Sequence, residues 1–191
     1  MVKSIASRTA QSADTADEMA ELLVGRLDAF ARVQSAVSRD PDSGIDLAGL
    51  VTDELMAHAA TMGENLSVEG PSVLLKPKAA ESISLAIHEL ATNAVKHGAL
   101  RGEQGKVTIN WRVDGDGDGT ALCFDWTESV PTGGVAQGSR EGFGMELLSR
   151  ILPYDLDAKT KVDFRQHGIR FELEVPREHL FDRGSERATN D

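Results

Sequence analysis

The stretch His88-Glu89-Leu90-Ala91-Thr92-Asn93-Ala94-Val95-Lys96-His97-Gly98 decides how the rest of the chain is read. Pro77 opens the helix that contains it, and Gly98 stands where a terminating C′ glycine is expected, with Lys96 and His97 in the last turn where cations suit the helix dipole. At about 100° per residue, Glu89, Asn93, Lys96 and His97 fall within one narrow arc, while Ile83, Ile87, Leu90 and Ala94 gather about a third of a turn away. Acid, amide and cation therefore converge beside an apolar stripe. A carboxylate and a carboxamide four residues apart offer hard oxygen ligands to Mg²⁺ or its waters, and a lysine one turn on can meet a phosphate bridged by the same ion. The bland alternative is a solvated face on a well-capped helix. His88-Glu89 also begins an H-E-x-x-H zinc pattern, but position 92 is Thr, so the second ligand is missing and metalloprotease chemistry is excluded. His88 points away from the Glu89/Asn93 arc and reads as a buried structural histidine.

Outward from this helix the period of the apolar residues changes. Val107, Ile109, Trp111 and Val113 alternate with polar residues, and Leu122, Phe124 and Trp126 continue the period-two pattern after a Gly/Asp turn, which predicts a hairpin. A second hairpin is predicted from Val162 and Phe164, a Gln166-His167-Gly168 turn, and Ile169, Phe171, Leu173 and Val175. Between them, Ser129–Glu141 carries no periodicity and reads as a mobile loop, followed by a helix over Phe143–Ile151. Upstream, a short helix is expected near Leu47–Met62, with brief strands at Leu66–Val68 and Val73–Leu75. This order implies an α+β fold: a two-layer α/β sandwich with helices on one face of a mainly antiparallel sheet.

The N-terminal residues differ in kind. Met19, Leu22, Leu23, Arg26, Leu27, Phe30, Val33 and Val37 recur at spacings of three and four, an apolar stripe with nothing local to cover it. Ile5 begins a similar pattern, and Ser12–Thr15 breaks the two into a helical hairpin. Such a stripe predicts self-association. The Arg39-Asp40-Pro41-Asp42-Ser43-Gly44 cluster marks the boundary, which divides the chain into a hairpin over 1–43, a second domain over 44–180 and a frayed tail over 181–191.

Composition limits the partners. The 191 residues carry 20 Lys+Arg against 31 Asp+Glu, a net charge of −11, so the overall field repels nucleic acid and anionic lipid. An anionic ligand needs local donors or a cation. No apolar run approaches the roughly 18 residues of a membrane span, Cys123 is the single cysteine, and no secretory signal is evident, so a cytoplasmic location is expected.

Three further segments bear on chemistry. Asp114-Gly115-Asp116-Gly117-Asp118-Gly119 nearly matches a calcium loop, but its flanks have strand period, so an acidic hairpin turn is expected instead. Asp125-Trp126-Thr127-Glu128 ends a strand and leaves a carboxylate able to accept a hydrogen bond from an exocyclic amine such as adenine N6. Gly142-Phe143-Gly144 starts a helix, where backbone N–H groups can approach phosphate.

Taken in order, His88…Asn93, Trp126-Thr127-Glu128 and Gly142-Phe143-Gly144 resemble the N, G1 and G2 boxes of the GHKL ATP-binding fold, in the HWE subgroup of bacterial histidine kinases. Residues 2–9 and 25–32 are similar to that family's dimerisation helices. The resemblance implies ATP and Mg²⁺ as ligands. Asn93 would ligate Mg²⁺ and Glu89 would lie in the metal and water shell, with Lys96 and His97 facing phosphate. Glu128 would take the adenine-reading place, and Gly142, Phe143 and Gly144 would bound a lid formed by Ser129–Glu141. It also implies a homodimer through the N-terminal helices and a response-regulator receiver domain as partner.

Two departures from the family pattern stand out. Ser129 and Val130 follow the adenine-reading acid where the family has glycine, and Gly133-Gly134 lies downstream. The family's phosphoacceptor sits in a His-Arg-Val-Lys-Asn-like segment that would precede Met1, and none of His58, His88, His97, His167 or His179 replaces it. A fragment that lacks this segment is therefore expected. Besides the kinase core, two readings stand open: an ATP hydrolase in which Glu89 activates water, and a non-catalytic adaptor whose helices sequester a partner.

Overall fold

The computed structural model describes residues 2–40, 43–56, 65–101, 104–130 and 142–181. Two helices come first, α1 (Val2–Ser12) and α2 (Ala16–Arg39). Thr15 caps α2, its Oγ1 accepting from the Glu18 N–H at 3.2 Å, so the expected break is where local chemistry puts it. Then follow β1 (Ile45–Asp46), α3 (Leu47–Met56), β2 (Leu66–Glu69), β3 (Leu74–Leu75) and α4 (Pro77–Lys96). The remaining elements are β4 (Lys106–Asp114), β5 (Ala121–Ser129), α5 (Phe143–Glu146), a π turn over Leu147–Ile151, α6 (Leu152–Leu156), β6 (Lys159–Arg165) and β7 (Gly168–Pro176).

Five strands form one sheet in the order β2-β4-β5-β7-β6, all neighbours antiparallel except the parallel pair β2/β4. Strand β5 is central. Its residues Leu122, Phe124, Trp126 and Glu128 are buried and their alternates are not, so one face of the sheet lies under the helices. Helix α4 lies in that layer with Ile83, Ile87, Leu90 and Ala94 buried, as its apolar stripe predicts. The Asp/Gly segment between β4 and β5 is a tight turn with a 3₁₀ step over Gly117–Gly119, flanked by strands on both sides.

Part of the α2 stripe is covered by an element distant in sequence. Helix α2 packs along α4, with Arg26, Ala29 and Val33 buried and Leu23 and Val37 against the same core. Gly25 permits this approach, since a Cβ there would lie 2.8 Å from His88 Nε2. Val33 alone buries a side chain worth roughly 1.5–3 kcal/mol. Arg26, Val33, Leu23 and Val37 of the stripe therefore belong to the fold of the monomer, while Met19, Leu22, Leu27 and Phe30 stay only partly buried.

Several bounds differ from expectation. The helix from Phe143 does not stop at Ile151 but continues through the π turn to Leu156, where Asp157 (φ 46°) closes it. Helix α3 is described to Met56, and residues 57–62 of the expected helix lie outside the described residues. So do 131–141 of the expected loop and lid, and 182–191 of the expected tail. Ser129 ends β5, and the Val130 N–H bonds the His167 carbonyl at 2.7 Å. Phe181 is tied to β3 through its N–H to the Leu74 carbonyl at 2.8 Å.

Candidate functional site

The polar arc on α4 is real, but its members meet different surroundings. Asn93 and His97 are exposed. Glu89 is buried, and its carboxylate is held on both oxygens by Arg26 of α2, Nε to Oε1 at 2.6 Å and Nη2 to Oε2 at 2.9 Å. Lys96 reaches back to Glu21 of α2 at 2.9 Å, and that bond holds the Glu21 carboxyl below its usual range. A solvated face therefore describes only part of the arc.

The glycine segment reaches this face. A Cβ on Gly144 would stand 3.0 Å from Glu89 Oε2 and 3.4 Å from Asn93 Nδ2, so the backbone at the start of α5 lies directly against both side chains. Gly142 has open space where its Cβ would be.

Glu128 comes to the same end of α4 from the sheet. It is the last buried residue of β5, where Oε2 accepts from the Ala99 N–H at 2.9 Å and Oε1 from the Trp126 indole N–H at 3.2 Å. Its carboxylate fills the space beside Gly98, where a Cβ would lie 2.1 Å from Oε2 and 2.8 Å from the Ala94 Cα. Gly98 thus has a different reason to be glycine than helix termination predicts. The described glycines with positive φ are Gly44, Gly115, Gly117 and Gly168, and Gly98 is not among them.

Burial pushes the Glu128 carboxyl above the usual glutamate range, opposed by the bonds from Ala99 and Trp126. With one of these bonds on each oxygen, the carboxylate keeps lone pairs for another donor. His88 is buried as expected, 3.5 Å from Glu54 on α3, and plays no part in this face.

Sequence reasoning missed Arg26 as a site residue. It is 3% exposed, its Nη1 donates to Thr9 Oγ1 of α1 at 2.7 Å, and its guanidinium lies 4.1 Å from the Phe143 ring centroid. A charge lying in phase with an apolar stripe was the available signal.

Among the described residues no group of three or more His, Cys, Asp or Glu could hold a metal. Mg²⁺ with a nucleotide does not need one, because it keeps waters and phosphate oxygens and takes only one or two protein ligands. The exposed Asn93 carboxamide fits that requirement.

The family model of the histidine kinase-like ATPase domain matches residues 50–152, and that of the HWE histidine kinases matches residues 1–72. The chain belongs to the histidine kinase-like ATPase domain family. Its sequence is 31% identical over 176 residues to a blue-light-activated histidine kinase of Brucella ovis, and 32% over 178 residues to one of Brucella anthropi. Each alignment covers 92% of this chain and 36% of the relative, so the chain spans about a third of the length of those curated proteins. The histidine kinase domain of the Erythrobacter litoralis blue-light activated histidine kinase superposes with a TM-score of 0.58 at 15% identity, covering 92% of this chain and 93% of that one. The catalytic domain of the histidine kinase ThkA gives 0.51 at 18% identity, covering 69% and 94%. At such identities these structures establish the fold alone, the α+β fold of histidine kinase catalytic domains with a mostly antiparallel sheet.

Proposed function

We propose that the chain is the ATP-binding catalytic core of a two-component histidine kinase. In this reading it transfers the ATP γ-phosphoryl to a histidine, from which a response-regulator aspartate receives it. The observation that carries it is the convergence at the C-terminal turns of α4, where Gly98 admits the Glu128 carboxylate and Gly144 lies against Asn93. Family membership supports the same reading.

Each residue then has a part. Asn93 is the protein ligand of Mg²⁺, which when bound neutralises phosphate charge and offsets the −11 net charge that opposes an incoming triphosphate. Glu128 accepts the adenine amine. Gly142, Phe143 and Gly144 bring backbone close to the phosphates. His97 faces phosphate from the helix end, and Lys96 does so once it leaves Glu21, a partly exposed pair that costs little to break. The substrate imidazole forms an N–P bond as the γ-phosphorus parts from its bridging oxygen and ADP leaves, with Lys96 stabilising the transferring group.

Glu89 distinguishes kinase from hydrolase. Its side chain is 6% exposed and both oxygens are held by Arg26, which leaves it poorly placed to activate water. That favours the kinase. In this reading the N-terminal hairpin supplies the dimer contact and the receiver-domain partner docks on the assembled kinase.

Nucleotide titration tests the assignment. Glu128→Ala is expected to lose roughly 1.5–3 kcal/mol of ATP binding, and Asn93→Ala to abolish the effect of Mg²⁺ on that binding. Equal affinities for ATP and GTP defeat the adenine role, and an unchanged magnesium response clears Asn93. With a phosphoacceptor helix supplied, labelled γ-phosphate should become acid-labile label on protein; free phosphate alone supports hydrolysis.

The Glu128 reading also sets a pH dependence. Because its carboxyl is raised by burial, it takes up a proton as pH falls while ordinary glutamates remain charged. The protonated group is the weaker acceptor, so ATP affinity should fall in that interval and recover as pH rises through the raised value. Calorimetric titration from pH 7.5 downward checks this; a flat profile until the ordinary glutamate range contradicts it.

A further inference from the structure

Arg26 holds both of the elements that meet at Asn93. On one side it forks onto Glu89, one helical turn before Asn93 on α4. On the other its guanidinium plane lies over Phe143, the first residue of α5. There the Gly144 backbone touches Glu89 and Asn93 together. A third donor fixes Arg26 to Thr9, whose hydroxyl in turn donates to the Ile5 carbonyl at 2.7 Å. One side chain thus joins α1, α2, α4 and α5.

Stability alone is a poor account of this arrangement. A buried ion pair gains little over apolar side chains of the same volume, because desolvation consumes most of the attraction. What the guanidinium fork supplies is orientation: two parallel bonds fix the carboxylate plane, which a lysine ammonium cannot do. The helix that carries Glu89 carries Asn93, and Phe143 adjoins Gly144, so the position of Arg26 sets the spacing between the Asn93 carboxamide and the glycine segment.

We infer that Arg26 is a positioning residue of the nucleotide site, supplied by the N-terminal hairpin, which acts through Glu89 and Phe143 to hold Asn93 and Gly144 at the spacing magnesium-bound ATP requires. The inference rests on the nucleotide reading above and assigns Glu89 the role of an anchor.

The test is titration of the full chain with ATP in the presence and absence of Mg²⁺. Arg26→Gln is expected to weaken magnesium-ATP binding about tenfold or more, the usual cost of losing a partner behind a metal ligand, with magnesium-free affinity changed less than about twofold. Arg26→Lys, which keeps the charge without the fork, should fall between that variant and the native chain. Folded Arg26→Gln with unchanged or tighter magnesium-ATP binding overturns the inference, as does an equal loss with and without the ion, which a general packing defect would give. If Arg26→Gln does not fold, the paired change Arg26→Met/Glu89→Met removes both charges at similar volume. Loss of its magnesium response supports the inference and retention overturns it. A native chain that binds ATP under neither condition overturns the nucleotide reading itself, and this one with it.

Discussion

Glu54→Ala should lose about 3–5 kcal/mol of folding stability, because it strips the acid from a buried charge network and leaves its partners behind. Glu54 sits on α3 with 1% exposure, yet three side chains address it. Arg32 of α2 forks onto its two oxygens at 3.1 and 2.5 Å, Ser84 of α4 donates at 2.7 Å, and His88 Nδ1 lies 3.5 Å away. One carboxylate thereby joins α2, α3 and α4. At about 2–4 °C per kcal/mol for a chain of this size, the melting midpoint should drop on the order of 10 °C. Glu174→Ala, which breaks only the exposed pair with Lys159, should stay within about 0.5 kcal/mol. Similar losses for the two variants would show that the network holds nothing together.

The same network fixes a sign for acid denaturation. Burial by itself raises the Glu54 carboxyl, but bonds from His88, Arg32 and Ser84 outweigh it and hold the group below its usual range. A folded value below the unfolded one means that the contribution is complete above the unfolded value and is lost as pH falls through the folded one. Glu54→Gln should therefore flatten the acid limb of the stability curve relative to the native chain, while Glu128, shifted upward, acts in the opposite sense. Urea titrations at neutral pH and near pH 4 on both chains read the difference.

These networks mark the limit of what the sequence discloses. The hairpins β4/β5 and β6/β7 were legible because alternation is a local property that one buried sheet face imposes on each strand. The Ser12–Thr15 break was legible because Thr15 accepts from the Glu18 N–H and Glu18 reaches back to the Asp14 N–H, all within a few residues. Arg26 and Glu54 were not, because a partner 63 or 30 residues away leaves no periodicity. Their trace is negative: each is a charge where an apolar residue belongs, Arg26 in the α2 stripe and Glu54 between Val51 and Leu55. The covering of the α2 stripe was hidden for the same reason, since its cover is α4, chosen by Gly25 and Ala29 rather than by any neighbour in sequence. Pro153 is accommodated beyond Ile151 because the π turn over Leu147–Ile151 has already interrupted the ordinary hydrogen-bond ladder there. Of the candidate site, the residue types and their arc on α4 could be read. That the hairpin closes over Glu89 could not.

Gly98→Ala is the second large expectation, and it separates backbone freedom from close approach as the reason for a glycine. The new methyl would stand 2.1 Å from Glu128 Oε2 and 2.8 Å from the Ala94 Cα, so the carboxylate or the helix end must move. The carboxylate has nowhere easy to go, being held by the Ala99 N–H and the Trp126 indole. Overpacking of this kind costs about 1–3 kcal/mol, and displacement of Glu128 should also reduce ATP affinity about as far as Glu128→Ala does. Gly142→Ala, with open space around its Cβ, should leave stability unchanged. The decisive comparison is Gly98→Ala/Glu128→Ala. If the methyl hurts because it meets the carboxylate, removing the carboxylate relieves it, and the double variant should be less destabilised than the two single losses add up to, by about 0.5–3 kcal/mol of coupling. Additive losses in chemical denaturation would place the cost of Gly98→Ala in the α4 backbone and detach Glu128 from it.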